Sequence, residues 1–133
     1  MKILVDTSVW SLALRRRAPS NQPEALRLAE LIQSGQTIYL LGIILQEILS
    51  GIRHTEQFAK LRVRLEPFPL ISLDRDDFVH AAELSCLCRK QGIQAGTIDC
   101  LIAGAAIRHG CKLFTSDNDF LRISSVTPLQ LLN

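Results

Sequence analysis

Short apolar runs alternate with helix-like patterns along this chain, and that alternation constrains its fold more than any other feature. The first run, residues 2–5, ends directly at an acid and predicts a buried strand. Similar runs at 37–41, 70–73 and 112–115 predict three more strands, and residues 123–127 predict a further strand at the edge. Strands that alternate with helices indicate a parallel sheet covered on both faces. We therefore expect an α/β domain with a central parallel sheet of four to five strands.

The segments between these runs carry apolar residues at helical spacing, together with residues that begin or end helices. Pro23 favours the first turn of a helix that begins near Asn21 or Gln22. Pro67 and Pro69 end another helix, because proline cannot continue one. The predicted helices cover residues 8–15, 23–35, 43–53, 55–65, 75–91 and 98–109, with one helical turn at 117–121.

Composition narrows the class of protein. Apolar residues make up 47% of the chain, which is enough for a core, and no apolar stretch reaches the roughly 18 residues of a membrane-spanning helix. The residues before Asp6 do not form the pattern of a signal peptide. The cysteines lack the paired spacing of a zinc site, and we expect Cys100 and Cys111 to be reduced and buried. These features predict a single cytoplasmic domain over residues 1–133 that does not enter a membrane.

Five of the 13 acidic residues resist a simple structural interpretation. Asp6 directly follows the first predicted strand, while Asp117 and Asp119 follow the fourth, so they are expected at the carboxyl edge of a parallel sheet. Asp99 begins an almost entirely apolar helix, and Glu47 lies within an apolar segment. Each has an alternative interpretation, since acids also cap helices, favour the positive end of a helix or lie on its exposed face.

As a set, these acids indicate a metal site. Carboxylates that converge on one edge repel one another and raise each other's pKa unless a cation neutralises them. Oxygen-only ligands select a hard ion, Mg²⁺ or Mn²⁺. Such an ion activates water and offsets the charge of the transition state for phosphodiester hydrolysis. The acids therefore favour a metal-assisted hydrolase of phosphodiester bonds.

The acids lie in four segments whose order and spacing resemble those of a PIN domain. The segments are Val5–Trp10, Gln46–Gly51, Thr97–Ala103 and Leu113–Phe120. Over essentially its whole length, the chain resembles the VapC-type toxins of bacterial and archaeal toxin–antitoxin pairs. This resemblance implies a three-layer α/β/α fold and an endoribonuclease that depends on Mg²⁺ or Mn²⁺. It also implies an RNA substrate, a cognate antitoxin that blocks the site, and a homodimer.

The same resemblance assigns roles to individual residues. The residues that match the acidic quartet, which binds the metal and carries catalysis, are Asp6, Glu47, Asp99 and Asp117. Asp119 matches an additional acid beside the quartet, and we expect it to support the quartet. The residues that match hydroxyl positions holding site waters or carboxylates are Thr7, Ser8 and Thr115.

The basic residues suit a polyanionic substrate. Most of the 15 are arginines, densest at residues 15–17 and at Arg62 and Arg64, although a solvated surface would also explain them. Neutralising the quartet would raise the formal net charge of +2 by four units, which favours RNA binding. Aromatic residues make up only 5% of the chain, so we expect contacts to phosphates rather than base stacking.

Three other functions stay open at this point. A DNA nuclease selective for branched structures would use the same metal chemistry, since a fold does not fix its substrate. A phosphatase with Asp6 as nucleophile would need a second aspartate two residues on, where Ser8 stands. A PIN-like fold without activity could serve as a binding module for an antitoxin or an RNA.

Trp10 has two interpretations. It lies on the predicted helix 8–15, one turn before Leu14, where the two could form the wall of a groove that binds an antitoxin helix. Alternatively, its large apolar side chain belongs to the core.

Overall fold

The computed structural model describes residues 1–14 and 22–133 and forms three strands and seven helices within them. In chain order, they are β1 (Lys2–Val5), α1 (Thr7–Ala13), α2 (Pro23–Gln33), β2 (Thr37–Tyr39), α3 (Gly42–Ser50), α4 (Thr55–Leu65), α5 (Arg75–Lys90), α6 (Thr97–Arg108), β3 (Lys112–Phe114) and α7 (Asp119–Val126). The arginine cluster at 15–17 and Asn21 lie outside the described residues. None of the seven helices combines the length and the apolar character needed to cross a bilayer.

The three strands are parallel, in the order β2-β1-β3. Ile3 in the central strand pairs with Ile38 on one side and with Lys112 on the other. Residues 3–5 are fully buried, because helices cover a parallel sheet on both faces. The carboxyl ends of β1 and β3 meet at one edge, where the backbone N–H of Asp6 donates to the carbonyl of Phe114 at 2.9 Å.

The prediction of four to five strands is wrong for the described residues, and the segment 70–73 is one reason. Its pairing with the β2 side of the sheet is limited to a single bridge between Leu40 and Leu70. Leu40 donates to the carbonyl of Pro69, and Ile71 donates to the carbonyl of Leu40, both at 2.9 Å. Beyond this bridge the chain turns into the cap of α5, so the pairing does not extend into a strand.

The predicted edge strand at 123–127 is also wrong. The side chains of Phe120 and Ile123 are fully buried at helical spacing, and α7 continues to Val126. The chain reaches the edge of the sheet further on, where Leu131 makes one bridge to Leu113. Burying the apolar side of α7 therefore outweighs the strand preference of the β-branched residues in this segment.

The helices fall into two groups by their contacts, as expected when helices cover both faces of a sheet. Contacts link α1 with α2 and α3, and α3 with α4, while α5, α6 and α7 contact one another. Helices α5 and α6 pack especially closely at Gly104. A Cβ atom at that position would lie 3.3 Å from the His80 ring and 3.4 Å from the Leu84 side chain.

Trp10 belongs to the core, so its interpretation as an antitoxin contact is wrong. Its side chain is 2% exposed, and its indole N–H donates to the carbonyl of Val5 at 3.1 Å. The Phe68 ring packs edge-on against it, with the ring centroids 5.1 Å apart. Cys100 and Cys111 are buried and unpaired, as predicted.

The C-terminal end of α6 joins a compact group of charged residues built around Asp77, which is 2% exposed. Asp74 and Asp77 form a capping box at the start of α5, each accepting a hydrogen bond from the other's backbone N–H. The Oδ1 atom of Asp77 lies 3.0 Å from nitrogen atoms of both Arg108 and His109. Burial alone would raise the pKa of Asp77, but the Asp74 backbone, His109 and Arg108 together lower it.

Candidate active site

Asp6 lies at the carboxyl end of β1, and its side chain is held by hydroxyl groups. Asp6 occupies the N-cap position of α1, yet its carboxylate makes no capping hydrogen bond. Its Oδ2 atom instead accepts hydrogen bonds from Ser8 at 2.8 Å and from Thr115 at 2.9 Å. These bonds link the ends of β1 and β3, so helix capping does not explain why an acid stands at this buried position.

The loop after β3 is tied to the same two hydroxyls. The backbone N–H of Ser116 donates to the Ser8 hydroxyl at 3.1 Å, and that of Asp117 donates to the Thr115 hydroxyl at 3.0 Å. The Oδ1 atom of Asp117 then accepts from the backbone N–H of Asp119 at 2.9 Å. This network positions the loop acids beside the end of β1.

Three carboxylates come together at this edge of the sheet. Oxygen atoms of Asp99, Asp117 and Asp119 lie within 4.8 Å of one another, and we call these three residues the acidic cluster. Asp99 reaches it from the first turn of α6, and the other two from the start of α7 and the loop before it. The cluster thus contains two members of the predicted quartet together with Asp119, whereas Asp6 and Glu47 stand outside this group of three.

Burial and the repulsion from neighbouring acids act together on Asp99 and disfavour its charged form. Burial raises the pKa of Asp99, and the charges of four neighbouring acids raise it further, to about 6. These four acids are, from the largest effect to the smallest, Asp117, Asp6, Asp119 and Glu47. The other three members of the predicted quartet therefore all raise the pKa of Asp99. Of these three, only Asp117 belongs to the acidic cluster.

Glu47 lies on an exposed part of α3 but is not an isolated surface acid. Its Oε1 atom accepts a hydrogen bond from the Thr7 hydroxyl at 3.1 Å. Thr7 is the first residue of α1 and directly follows Asp6, so this bond holds Glu47 against the rim of the site.

The arrangement fits a hard divalent cation. The three acidic-cluster residues offer oxygen ligands only, which suits Mg²⁺ or Mn²⁺ better than softer metals. The raised pKa of Asp99 indicates that the described side chains leave its negative charge poorly compensated. A bound cation would remove this repulsion, because it favours the charged form of each carboxylate.

The sequence interpretation did not include Arg122. Its guanidinium forms an ion pair with Asp119 through Nη2 and Oδ1, and its side chain is 62% exposed. The two residues are three positions apart on α7, so they lie on neighbouring positions of one helical face. That spacing was the signal in the sequence that could have identified Arg122.

Comparisons with known proteins agree with this architecture. A family model described as the PIN domain matches residues 3–126. The chain belongs to the PIN domain family. Ribonuclease VapC11 of Mycobacterium tuberculosis is 35% identical to this PIN domain over 130 residues, which are 96% of each chain.

Solved structures show the same fold. VapBC2 from Rickettsia felis, bound to a fragment of promoter DNA, matches with a TM-score of 0.80 and 23% identity, covering 100% of this chain and 98% of that one. VapBC-1 from nontypeable Haemophilus influenzae matches with a TM-score of 0.78 and 20% identity, with the same coverage. At these identities the likeness establishes the fold of this PIN domain rather than its chemistry.

Proposed function

We propose that this PIN domain is a metal-dependent endoribonuclease and the toxin of a toxin–antitoxin pair. The observation that carries the proposal is the convergence of Asp99, Asp117 and Asp119 at the carboxyl edge of the sheet, with the charge of Asp99 poorly compensated. Ligand sites in parallel α/β folds gather at this edge. The name of the relative VapC11, a ribonuclease, supports RNA as the substrate.

The quartet Asp6, Glu47, Asp99 and Asp117 would hold Mg²⁺ or Mn²⁺, with Asp119 supporting it. When bound, such an ion lowers the pKa of water and offsets charge on the phosphate. The chain itself contributes preorganisation. The hydroxyls of Ser8 and Thr115 orient Asp6, while Thr7 orients Glu47, so these carboxylates do not have to rearrange before the substrate arrives.

The test is cleavage of matched RNA and DNA oligonucleotides by the purified protein, with Mg²⁺, with Mn²⁺ and with a chelator. We expect cleavage of RNA only, dependent on metal and absent from Asp6→Asn. Preferential cleavage of DNA would favour the structure-selective DNA nuclease. Failure to cleave either polymer with either metal would favour a catalytically silent binding module.

A cognate antitoxin and a homodimer complete the proposal. The solved structures with the same fold include two named VapBC and one named a toxin–antitoxin complex, and these names support a protein partner for this chain. An arginine from the antitoxin could enter the acidic cluster and pair with its carboxylates in place of metal. Co-purification with the product of the neighbouring reading frame, and loss of cleavage in that complex, would support this inhibition. Light scattering of the purified toxin, in which we expect the mass of a dimer, tests its oligomeric state.

A further inference from the structure

Arg122 provides the positive charge that is paired directly with the acidic cluster. Within residues 1–14 and 22–133, the Arg122–Asp119 pair is the only ion pair made by a member of that cluster. Phe120 and Ile123 are fully buried and fix the rotation of α7. The helix therefore holds Asp119 and Arg122 on its outer side, next to the site.

The geometry of this ion pair allows Arg122 to exchange Asp119 for another anion. Both side chains are open to water, with 62% of Arg122 and 46% of Asp119 exposed, so solvent screens their attraction. The guanidinium contacts Asp119 through one nitrogen, Nη2. A guanidinium has five N–H donors in a planar fork, which leaves donors free for a second anion.

We propose that Arg122 binds a phosphate of the RNA backbone beside the bond to be cleaved, and that this phosphate replaces Asp119 as its partner. The inference rests on the proposed ribonuclease function. A polyanion approaching several carboxylates is repelled unless a cation receives it. Arg122 stands next to those carboxylates, and its fork matches the geometry of a phosphate. Release of Asp119 also frees that carboxylate to support the metal.

The first measurement is RNA binding without cleavage, made in an Asp99→Asn background. We expect Arg122→Ala to raise the Kd for an RNA oligonucleotide about tenfold. The slope of log K against log salt concentration should also fall in magnitude by about one, as for the loss of one phosphate contact. Arg122→Lys should keep the salt slope and recover part of the affinity, because lysine keeps the charge but loses the fork.

Arg27→Ala is the matched control. Arg27 pairs with Glu30 at 3.6 Å, again at i,i+3 spacing on a helix, but α2 carries none of the site acids. We expect the Kd and the salt slope of this variant to equal those of the Asp99→Asn parent. If Arg122→Ala changes RNA binding no more than Arg27→Ala does, the phosphate assignment is wrong.

A second measurement separates phosphate binding from simple positioning of Asp119. In protein with Asp99 intact and without RNA, calorimetric titration with Mn²⁺ should show unchanged or tighter binding for Arg122→Ala, and weaker binding for Asp119→Ala. Equal weakening in both variants, with an unaltered RNA salt slope, would make Arg122 a positioning residue and overturn the proposal. Failure of the wild-type protein to cleave RNA would instead overturn the proposed function itself, and this inference with it.

Discussion

The two ends of α6 lie beside acids in opposite electrostatic environments, Asp99 in its own first turn and Asp77 of α5 next to its last turn. At the first turn, Asp99 lies among other carboxylates, and its pKa is raised to about 6. At the other end, Arg108 in the last turn and His109 at the C-cap contact the buried carboxylate of Asp77, whose pKa is lowered. A helix of 12 residues is roughly 18 Å long, so the two situations coexist within one small domain.

The contrast shows that the neighbouring groups of a carboxylate, rather than its burial, decide whether its pKa is raised or lowered. Burial raises the pKa at both positions, and it is the largest single effect on each. Asp77 overcomes it with a backbone N–H, an imidazole and a guanidinium, whereas the neighbours that act on Asp99 are acids. The contacts of Asp77 are therefore those of a residue that stabilises the fold. The surroundings of Asp99 favour the binding of a cation instead.

The largest expected effect is on catalysis at the Asp99 end. Asp99→Asn should lower RNA cleavage by at least ~100-fold, because a catalytic metal supplies several kcal/mol of transition-state stabilisation. Single-turnover assays at saturating Mg²⁺ measure this loss. Asp76→Asn, the same change at an exposed acid in the first turn of α5, should retain wild-type rates. A fully active Asp99→Asn protein would remove Asp99 from the quartet.

The Asp77 end should govern stability instead. Asp77→Ala removes the partner of Arg108 and His109 together with half of the capping box, and should lower the free energy of unfolding by about 2–3 kcal/mol. Urea denaturation measures this change, with Asp76→Ala as the control. The folded fraction of Asp77→Ala should cleave RNA at the wild-type rate. A large loss of cleavage in fully folded protein would contradict the division of roles.

An intermediate effect, on metal affinity, is expected from the hydroxyl groups that hydrogen-bond to the site acids. Thr115→Val removes the hydrogen bond to Asp6 and the acceptor for Asp117, and should weaken Mn²⁺ affinity about tenfold. Thr127 is a matched control, because its hydroxyl also donates to one group, the carbonyl of Ile123, and accepts from another, the N–H of Leu129. Thr127→Val should leave Mn²⁺ affinity intact. Equal metal affinity in both variants would show that the hydroxyl of Thr115 is dispensable.

The smallest effect is the pH dependence of stability in metal-free protein. Asp99 has a folded-state pKa of about 6, above its unfolded value of 3.8, so its stabilising contribution is complete below pH 3.8 and lost as pH rises through 6. This loss should be on the order of 1 kcal/mol after allowance for solvent screening. Asp77 has the opposite sign, and its contribution is lost as pH falls below 3.8.

Urea unfolding of wild-type and Asp99→Asn protein from pH 4 to pH 7, with chelator present, isolates the first effect. The variant should gain stability relative to wild type as pH rises, and added Mg²⁺ should reverse that order at pH 7. A difference that stays constant with pH would mean that Asp99 titrates normally in the folded protein.

The sequence predicted the elements whose apolar pattern matches their burial. Residues 2–5 were predicted as a buried strand and form one, and the helix at 98–109 agrees closely with α6. The segments 70–73 and 123–127 were predicted as strands for their apolar and β-branched residues. A strand, however, needs several residues in register with a neighbour, and register depends on tertiary packing that no local pattern contains.

The candidate site was likewise predicted only in part from the sequence. The carboxyl-edge placement of Asp6 and Asp117 followed from the order of strands and helices alone. The ion pair of Arg122 with Asp119 was missed because the segment was predicted to leave its helical turn at residue 121. Whether Asp119 would bind a metal directly or support another ligand depends on distances of a few ångströms, and sequence spacing does not determine such distances.

The position of β1 at the centre of the sheet has a consequence for the timing of folding during translation. β1 is synthesised before both of its neighbours in the sheet, and one of them, β3, comes more than a hundred residues later together with the acids that follow it. At the usual rates of protein synthesis, Asp119 leaves the peptidyl-transferase centre on the order of ten seconds after Asp6. Until then the carboxylates of Asp6 and Asp99 have no loop acids to meet. A nascent chain therefore cannot assemble the acidic cluster until Asp117 and Asp119 have been synthesised, however early β1 and Asp6 emerge.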